Sequence, residues 1–363
     1  MKVLLIGPYP PPYGGVESNL AAIRDFLLKR KVPCAVINVT RHRKTEADDV
    51  FYPKTSFDLL RLLNRLDYDI VHMHVGGKLS TRLLGLGLVC CLMPGSKTVF
   101  TFHSGGYPTS PRGRSTRAFS FTGFVLRRFD KLIAVNSALA VFFRKVGVPD
   151  ERVSLIAPHS FPEGFSSSNE TGTEPMPEKL ATFLRTHCPI LISVGGLEPE
   201  YDLPLQIGVL ARVREHFKNA GLLIIGSGRL EAEMRALVAS HPDADHILLA
   251  GDVPHPATLQ AIAQSDVMLR TTFYDGDAIS VREALHLGIP VIATDNGMRP
   301  EGVHLIPTSN AKALFGAIQQ VLVSGKTNNP PNVQADEGNL EAVYHLYEEV
   351  LSRSRTTRGK SMD

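Results

Sequence analysis

The chain of 363 residues contains no tryptophan and only four cysteines, Cys34, Cys90, Cys91 and Cys188. They form no C-x-x-C pair and no regular spacing, so neither a zinc site nor a disulfide framework is indicated, and free thiols in a reducing compartment are expected. Aromatic residues make up 7% of the chain and glycine and proline number 30 and 25, which removes the collagen-like, coiled-coil and wholly disordered classes. Long apolar runs are missing as well. The longest, Leu83 to Met93, falls well short of the roughly 20 residues that span a bilayer and predicts a buried helix. The run Val3 to Ile6 is too short for the core of a signal peptide and leads into Gly7-Pro8, so no export is expected. Nucleotide fingerprints are incomplete: Gly226-Ser227-Gly228 follows a strand-like run, but Glu231 stands where G-x-G-x-x-G needs its third glycine, and no G-x-x-x-x-G-K-[ST] occurs. Dinucleotide oxidoreductases and P-loop NTPases are therefore disfavoured.

What remains is an enzyme-sized globular chain, 43% apolar and 21% charged, about twice as long as one compact core usually serves, so two domains are expected. The net charge of +3 conceals an asymmetry: residues 1–152 hold 23 Lys and Arg against 11 Asp and Glu, and the remainder 16 against 25. A basic half fused to an acidic one suits a protein that meets an anionic partner on one side. Within the basic half, Arg112, Arg114, Arg117, Arg127, Arg128 and Lys131 interleave with Phe119, Phe121, Phe124 and Phe129. Two readings stand here: a surface that lies on anionic lipid, or a solvated helix face with its phenylalanines turned into the core. Nucleic acid is not expected as a partner, because no recognisable binding module accompanies the charge.

Short β-branched runs alternate with helical patterns along both halves. Strands are predicted at Lys2–Ile6, Cys34–Asn38, Ile70–His74, Thr98–His103 and Lys131–Val135, and again at Pro189–Val194, Gly221–Ile225, His246–Ala250, Asp266–Leu269 and Pro290–Thr294. Such alternation means parallel sheets covered on both faces, an α/β fold of two doubly wound, Rossmann-like domains. The expected division is an N-terminal domain 1–162, a Ser/Gly/Pro-rich linker 163–189, a C-terminal domain 190–333, a closing helix 334–352 and a flexible tail 353–363. Leu340, Val343, Tyr344, Leu346, Tyr347, Val350 and Leu351 recur at helical spacing and form the apolar face of that helix.

Ligands of open parallel sheets bind beyond the carboxyl ends of the strands. There the first strand leads into Gly14-Gly15-Val16-Glu17 at the start of a helical pattern, where glycines let backbone amides approach a phosphate. The segment Leu269 to Thr294 reads strand, loop, short helix, Gly-Ile-Pro break and strand. Asp275 lies in the loop and Glu283 in the helix, eight residues on. Two carboxylates so placed suit the hydroxyls of an extended ligand, and the amides of Ala278, Ile279 and Ser280 at the helix start suit a diphosphate.

This segment resembles the E-x7-E region of the retaining GT-B glycosyltransferases of the group 1 or family 4 type. Glu283-Ala284 and Gly288-x-Pro290-Val291 match that pattern; Asp275 replaces its first glutamate, and Asp277-Ala278 its Phe-Gly. Gly14-Gly15-Val16-Glu17 is similar to the family's N-terminal G-G-x-E, and Thr101-Phe102-His103-Ser104 to the segment that bears its active-site histidine. The resemblance implies two domains facing across a cleft that holds a nucleotide-diphospho-sugar, with no cofactor. By position it assigns His103 and Asp275 to catalysis, His103 facing the transferred sugar and Asp275 its hydroxyls. Glu283 is assigned to the ribose, and Gly14, Gly15, Gly276, Ala278, Ile279 and Ser280 to the donor. The family also offers an Arg in G-R-L and a Lys soon after, both on the donor phosphates, whereas Gly196 and Tyr201 occupy those places here. Arg270, Arg282 and Arg299 are the expected substitutes.

His74, Arg112, Arg114 and Arg117 are expected on the acceptor or membrane side, with a glycan or lipid-linked glycan as acceptor. Asp275-Gly276-Asp277 spells a metal-binding D-x-D, but in this two-domain context no metal is expected. His72 is read as buried and His74 as lining the cleft. A cytoplasmic enzyme of polysaccharide or glycoconjugate synthesis, peripheral at the inner face of the plasma membrane, is the leading expectation. A non-catalytic nucleotide-sugar binder and a GT-B nucleotide-sugar epimerase remain the alternatives.

Overall fold

The computed structural model describes residues 1–11, 14–40, 47–158, 176–273, 278–297, 299–325 and 338–359, with side chains in the last helix as far as 352. Two compact units emerge, the first from residues 1–11, 16–158 and the closing helix, the second from residues 14–15 and 176–325.

The first unit carries a seven-stranded, wholly parallel sheet in the order β3-β2-β1-β4-β5-β6-β7. Its strands are β1 Val3–Gly7, β2 Cys34–Asn38, β3 Val50–Phe51, β4 Ile70–Val75, β5 Lys97–Phe102, β6 Lys131–Ala134 and β7 Val153–Leu155. Sheet two, in the second unit, is also parallel and runs β10-β9-β8-β11-β12-β13. Its strands are β8 Ile190–Val194, β9 Gly221–Ile225, β10 Ile247–Gly251, β11 Val267–Arg270, β12 Val291–Thr294 and β13 Val303–Ile306. Each sheet reverses its strand order once, between β1 and β4 and between β8 and β11. These two switch points are where a doubly wound sheet opens a crevice.

Fully buried strands read as mostly apolar runs, and every residue of β1, β4, β9, β11 and β12 is buried, with His72 and His74 of β4, Arg270 of β11 and Thr294 of β12 as buried polar residues. The predicted inner strands lie within a residue of the observed ones. Differences concentrate at the edges, where β3, β7 and β13 are short and mostly half-buried or exposed and gave no apolar run to read. The helix expected over Leu83–Met93 runs Thr81–Leu92 from a Ser80 cap, but it buries only a stripe of Leu84, Gly87 and Cys90 and leaves Leu92 67% exposed. Inside the segment expected as a linker, helix Glu178–Thr186 forms because Leu180 and Phe183 share one buried face.

Helix Gly338–Gly359 packs on the first sheet, not the second, and passes the expected end at 352. Leu340, Val343, Leu346, Tyr347 and Val350 join Val3, Leu5, Leu20 and Ile23 in one core, and Lys131, buried at the end of that face, pairs with Glu349 at 3.2 Å. Among the described residues no helix is long and apolar enough to cross a membrane.

Candidate active site

In the second unit the site forms at the switch point between β8 and β11. Arg270 is the last residue of β11, one beyond the predicted strand end, and is only 6% exposed. Its Nη1 donates to the Val194 carbonyl at 2.7 Å, at the end of β8, and its guanidinium lies 4.6 Å from the centre of the Tyr201 ring. The Ser280 hydroxyl, in the first turn of helix Ile279–His286, donates to the same carbonyl at 3.3 Å. Thus a buried cation and a helix N-terminus converge on one strand end. The first amides of that turn have no acceptor within their own helix, and the helix dipole adds positive potential there.

Glycine makes this convergence possible. A Cβ on Gly195 would overlap the Tyr201 ring and come within 2.7 Å of Arg270 Nη1. Gly226, at φ +131°, passes so close to the Gly195 carbonyl oxygen that no side chain fits. The Gly195–Leu197 loop is pinned to the Gly226–Gly228 loop by Leu197 N–H donating to the Ser227 carbonyl at 3.1 Å and by Leu230 N–H donating to the Leu197 carbonyl at 2.9 Å. Gly196 differs, since a Cβ there would meet Glu198 and Tyr201 at 3.4 and 3.5 Å, ordinary van der Waals distances. Tyr201 supplies a ring on which Arg270 rests.

Glu283 is 3% exposed on helix Ile279–His286 and accepts a hydrogen bond from His255 Nε2 at 2.6 Å. Burial alone would lower the His255 pKa, but the Glu283 charge and hydrogen bond outweigh it and raise the value above its usual range. A carboxylate has about four acceptor sites, so one bond to His255 leaves capacity for ligand hydroxyls. Arg299 spans the ends of the neighbouring strands: its Nε donates to the Thr294 carbonyl at 3.0 Å and its Nη2 to Thr272 Oγ1 at 2.6 Å. Arg282 is half-buried on the Glu283 helix, and Ala278 caps that helix at its N-terminus. Asp275, Gly276 and Asp277 lie outside the described residues.

In the first unit, His103 follows β5 and His74 belongs to β4, and their rings meet with His74 Nδ1 3.1 Å from His103 Nε2. His74 was expected to line the acceptor side, yet it is only 2% exposed, because its ring is held between those of His72 and His103. His72 is buried as expected, with Nδ1 at 2.6 Å from Tyr347 Oη and Nε2 at 2.6 Å from Thr101 Oγ1. Burial pulls His72 and His103 down to about 3 and keeps His74 well below its usual value. Gly15 begins helix Gly15–Lys29, with Gly14 just before it.

Arg112, Arg114 and Arg117 are exposed, as are Phe119, Phe121 and Phe124 at 100%, 46% and 40%. Arg128 stacks over Phe124 at 4.7 Å. Phe129 is buried, and Arg127 and Lys131 are held by Ala118, Val146 and Glu349. The mixed stretch therefore divides into an outward basic and aromatic part and an inward structural part. Sequence reasoning missed His255, Tyr201 as a stacking partner, and Tyr347. Of these, only Tyr347 carried a signal, its place on a helical apolar stripe.

The family signature Glycosyl transferases group 1 matches residues 180–335, and Glycosyltransferase Family 4 matches residues 13–158. The chain belongs to this glycosyltransferase family. WcaL of Escherichia coli K12, named for colanic acid biosynthesis, is 26% identical over 263 residues, covering 69% of this chain and 60% of WcaL. The amylovoran biosynthesis glycosyltransferase AmsK of Erwinia amylovora is 27% identical over 198 residues, 49% of this chain and 48% of AmsK. The matches thus span less than two thirds of either relative's length. Among solved structures, Anabaena Alr3699/HepE in complex with UDP-glucose superposes with a TM-score of 0.64 at 15% identity, over 97% of this chain and 100% of that one. The fold of this family member is accordingly GT-B, two doubly wound α/β domains.

Proposed function

We propose that the protein is a retaining glycosyltransferase that moves a hexosyl unit from a nucleotide-diphospho-sugar to a glycan or lipid-linked glycan in cell-surface polysaccharide or glycoconjugate synthesis. The observation that carries this reading is the meeting of Arg270 and the Glu283 helix at Val194, on the switch point of the second sheet. In it, Glu283 accepts from the ribose hydroxyls while His255 holds its carboxylate in place. The amides of Ala278 to Ser280 and the Arg270 guanidinium hold the diphosphate, with Arg282 and Arg299 adding charge and Gly14 and Gly15 leaving room for the phosphates. Asp275 and His103 contact the donor sugar, and no metal enters the scheme.

The anomeric carbon–oxygen bond to the diphosphate breaks as the acceptor oxygen bonds to the same face of that carbon. The leaving phosphate oxygen takes the acceptor's proton, so configuration is retained without a protein nucleophile. Catalysis rests on positioning and on electrostatic stabilisation of the departing diphosphate. HepE was crystallised with UDP and with UDP-glucose, and the pneumococcal O-GlcNAc transferase GtfA with UDP and GlcNAc, which makes UDP the first nucleotide to test.

On the acceptor side, Arg112, Arg114, Arg117 and Arg128 stand out beside Phe119, Phe121 and Phe124, with no acidic residue from Tyr107 to Phe129. This surface lies on an anionic membrane, at the inner face of the plasma membrane, where a lipid-linked acceptor is presented.

Calorimetric titration with UDP, GDP, ADP and their sugar conjugates, with and without magnesium, tests the donor site. One diphosphate binding tightly and independently of metal is expected, followed by acceptor-dependent release of that diphosphate. The glycine and tyrosine at 196 and 201 favour a second reading, a nucleotide-sugar binder without transfer; binding without acceptor-dependent release would decide for it. Isomerised donor with no acceptor consumed would identify an epimerase.

A further inference from the structure

β4, β5 and the residue that follows β5 place four polar side chains in a row at the end of the first sheet. His72 and His74, two apart on β4, share one face, and their ring centroids are 4.0 Å apart. His74 is in register with Thr101 on β5, whose hydroxyl meets His72, and His103 follows two residues later on the same side. The Tyr347 hydroxyl reaches His72 from the closing helix. His72, His74, Thr101 and Tyr347 are at most 3% exposed. His72 is hydrogen-bonded at both ring nitrogens, so its ring is fixed and His74 rests against a rigid floor.

The contact between His74 Nδ1 and His103 Nε2 needs one N–H and one lone pair, so the two rings cannot both be charged and the tautomer of one dictates that of the other. Among the described residues, the buried His74 Nε2 has no hydrogen-bond partner. An N–H left there would be a buried donor without an acceptor, the rarer kind of orphan in native structures. The proton therefore belongs on His74 Nδ1, which donates to His103 Nε2, and His103 carries its own proton on Nδ1.

We propose that His74 is a positioning residue which locks His103 as the neutral Nδ1–H tautomer, so that His103 presents a donor, never a cation, to the transferred sugar. This rests on the reading of His103 as the residue that faces that sugar. The burial that depresses all three histidines acts in the same direction.

The test is long-range ¹H–¹⁵N NMR of histidine-labelled protein at pH 7, which reports the tautomer of each ring, combined with steady-state kinetics. Wild-type protein is expected to show His103 as a single Nδ1–H tautomer. His74→Phe keeps a ring but no nitrogen; His103 should then populate both tautomers, and kcat should fall by about 10- to 100-fold with the donor KM unchanged. His74→Asn, whose amide returns a donor near the Nδ1 position, should restore the single tautomer and most of the turnover. Wild-type protein with His103 in the Nε2–H form overturns the proposal without any variant, as does a His74→Phe protein with unchanged kcat or a loss confined to KM. Failure of the glycosyltransferase reading shows up differently, as absent nucleotide binding and turnover, and leaves the tautomer measurement to stand by itself.

Discussion

At Gly195 a single methyl group separates two arrangements of the donor site. Its Cβ would have to displace both the Tyr201 ring and the Arg270 guanidinium, which rest on each other. Gly195→Ala is expected to lower stability by about 1–3 kcal/mol, the usual range for overpacking, and to weaken nucleotide diphosphate binding more than nucleoside binding, as read by urea denaturation and calorimetry. Gly196→Arg should behave oppositely. The space beside it tolerates a Cβ, and the added guanidinium should tighten diphosphate binding about tenfold, with nucleoside binding unchanged. For the carboxylates, Glu283→Gln should weaken free nucleotide and nucleotide sugar alike by about tenfold, because a neutral amide accepts less strongly from hydroxyls. Asp275→Asn should weaken only the sugar conjugate, and full activity in that variant with its natural donor would remove Asp275 from the site.

Elements differ in how plainly the sequence announces them. Inner strands such as Cys34–Asn38 and Gly221–Ile225 were legible to the residue, because burial on both faces forces an unbroken apolar run. Edge strands were not, since Val303–Ile306 has an interior of exposed His304 and Leu305 and carries no such run. The same contrast holds at the site. Glu283 and His103 could be found from motifs because each sits in a distinctive local pattern. The bonds of His255 to Glu283 and of Tyr347 to His72 could not, because they reach across 28 and 275 residues and no local pattern encodes them, although the helical stripe did place Tyr347 in the core. The basic, aromatic element from Pro111 to Leu126 carries its own expectation. Charge reversal at Arg112, Arg114 and Arg117 should abolish co-sedimentation with anionic vesicles, and Phe119→Ser with Phe121→Ser should weaken it, while donor binding persists in both. Equal sedimentation of variant and wild type would remove the membrane from the proposed function.

For the molecule as a whole, protonation sets the direction of acid sensitivity. His72 and His103 have folded pKa values lowered to about 3, so between pH 6.5 and 3 the unfolded chain binds protons that the folded one refuses. Stability therefore falls as pH drops through this window, with a slope for each ring that approaches about 1.4 kcal/mol per pH unit. His255 works the other way: its raised value adds stability below pH 6.5 that is lost as pH rises through the folded value. Hydrogen exchange of the β4 and β5 amides should lose protection on acidification ahead of the second sheet. Uniform loss across both sheets would argue against buried histidines as the cause.

The closing helix has a consequence for how the chain is made. Tyr347 and its apolar neighbours complete the face of a sheet whose first strand is residues 3–7, yet they are translated after the whole of the second unit. Emerging from the ribosome, the second unit has its strands and core in hand while the first still shows bare Leu20, Ile23 and Val3 to its surroundings. The domain made first is thus the one finished last, and during that interval its uncovered face is the natural substrate for a chaperone and the place where truncated chains would aggregate.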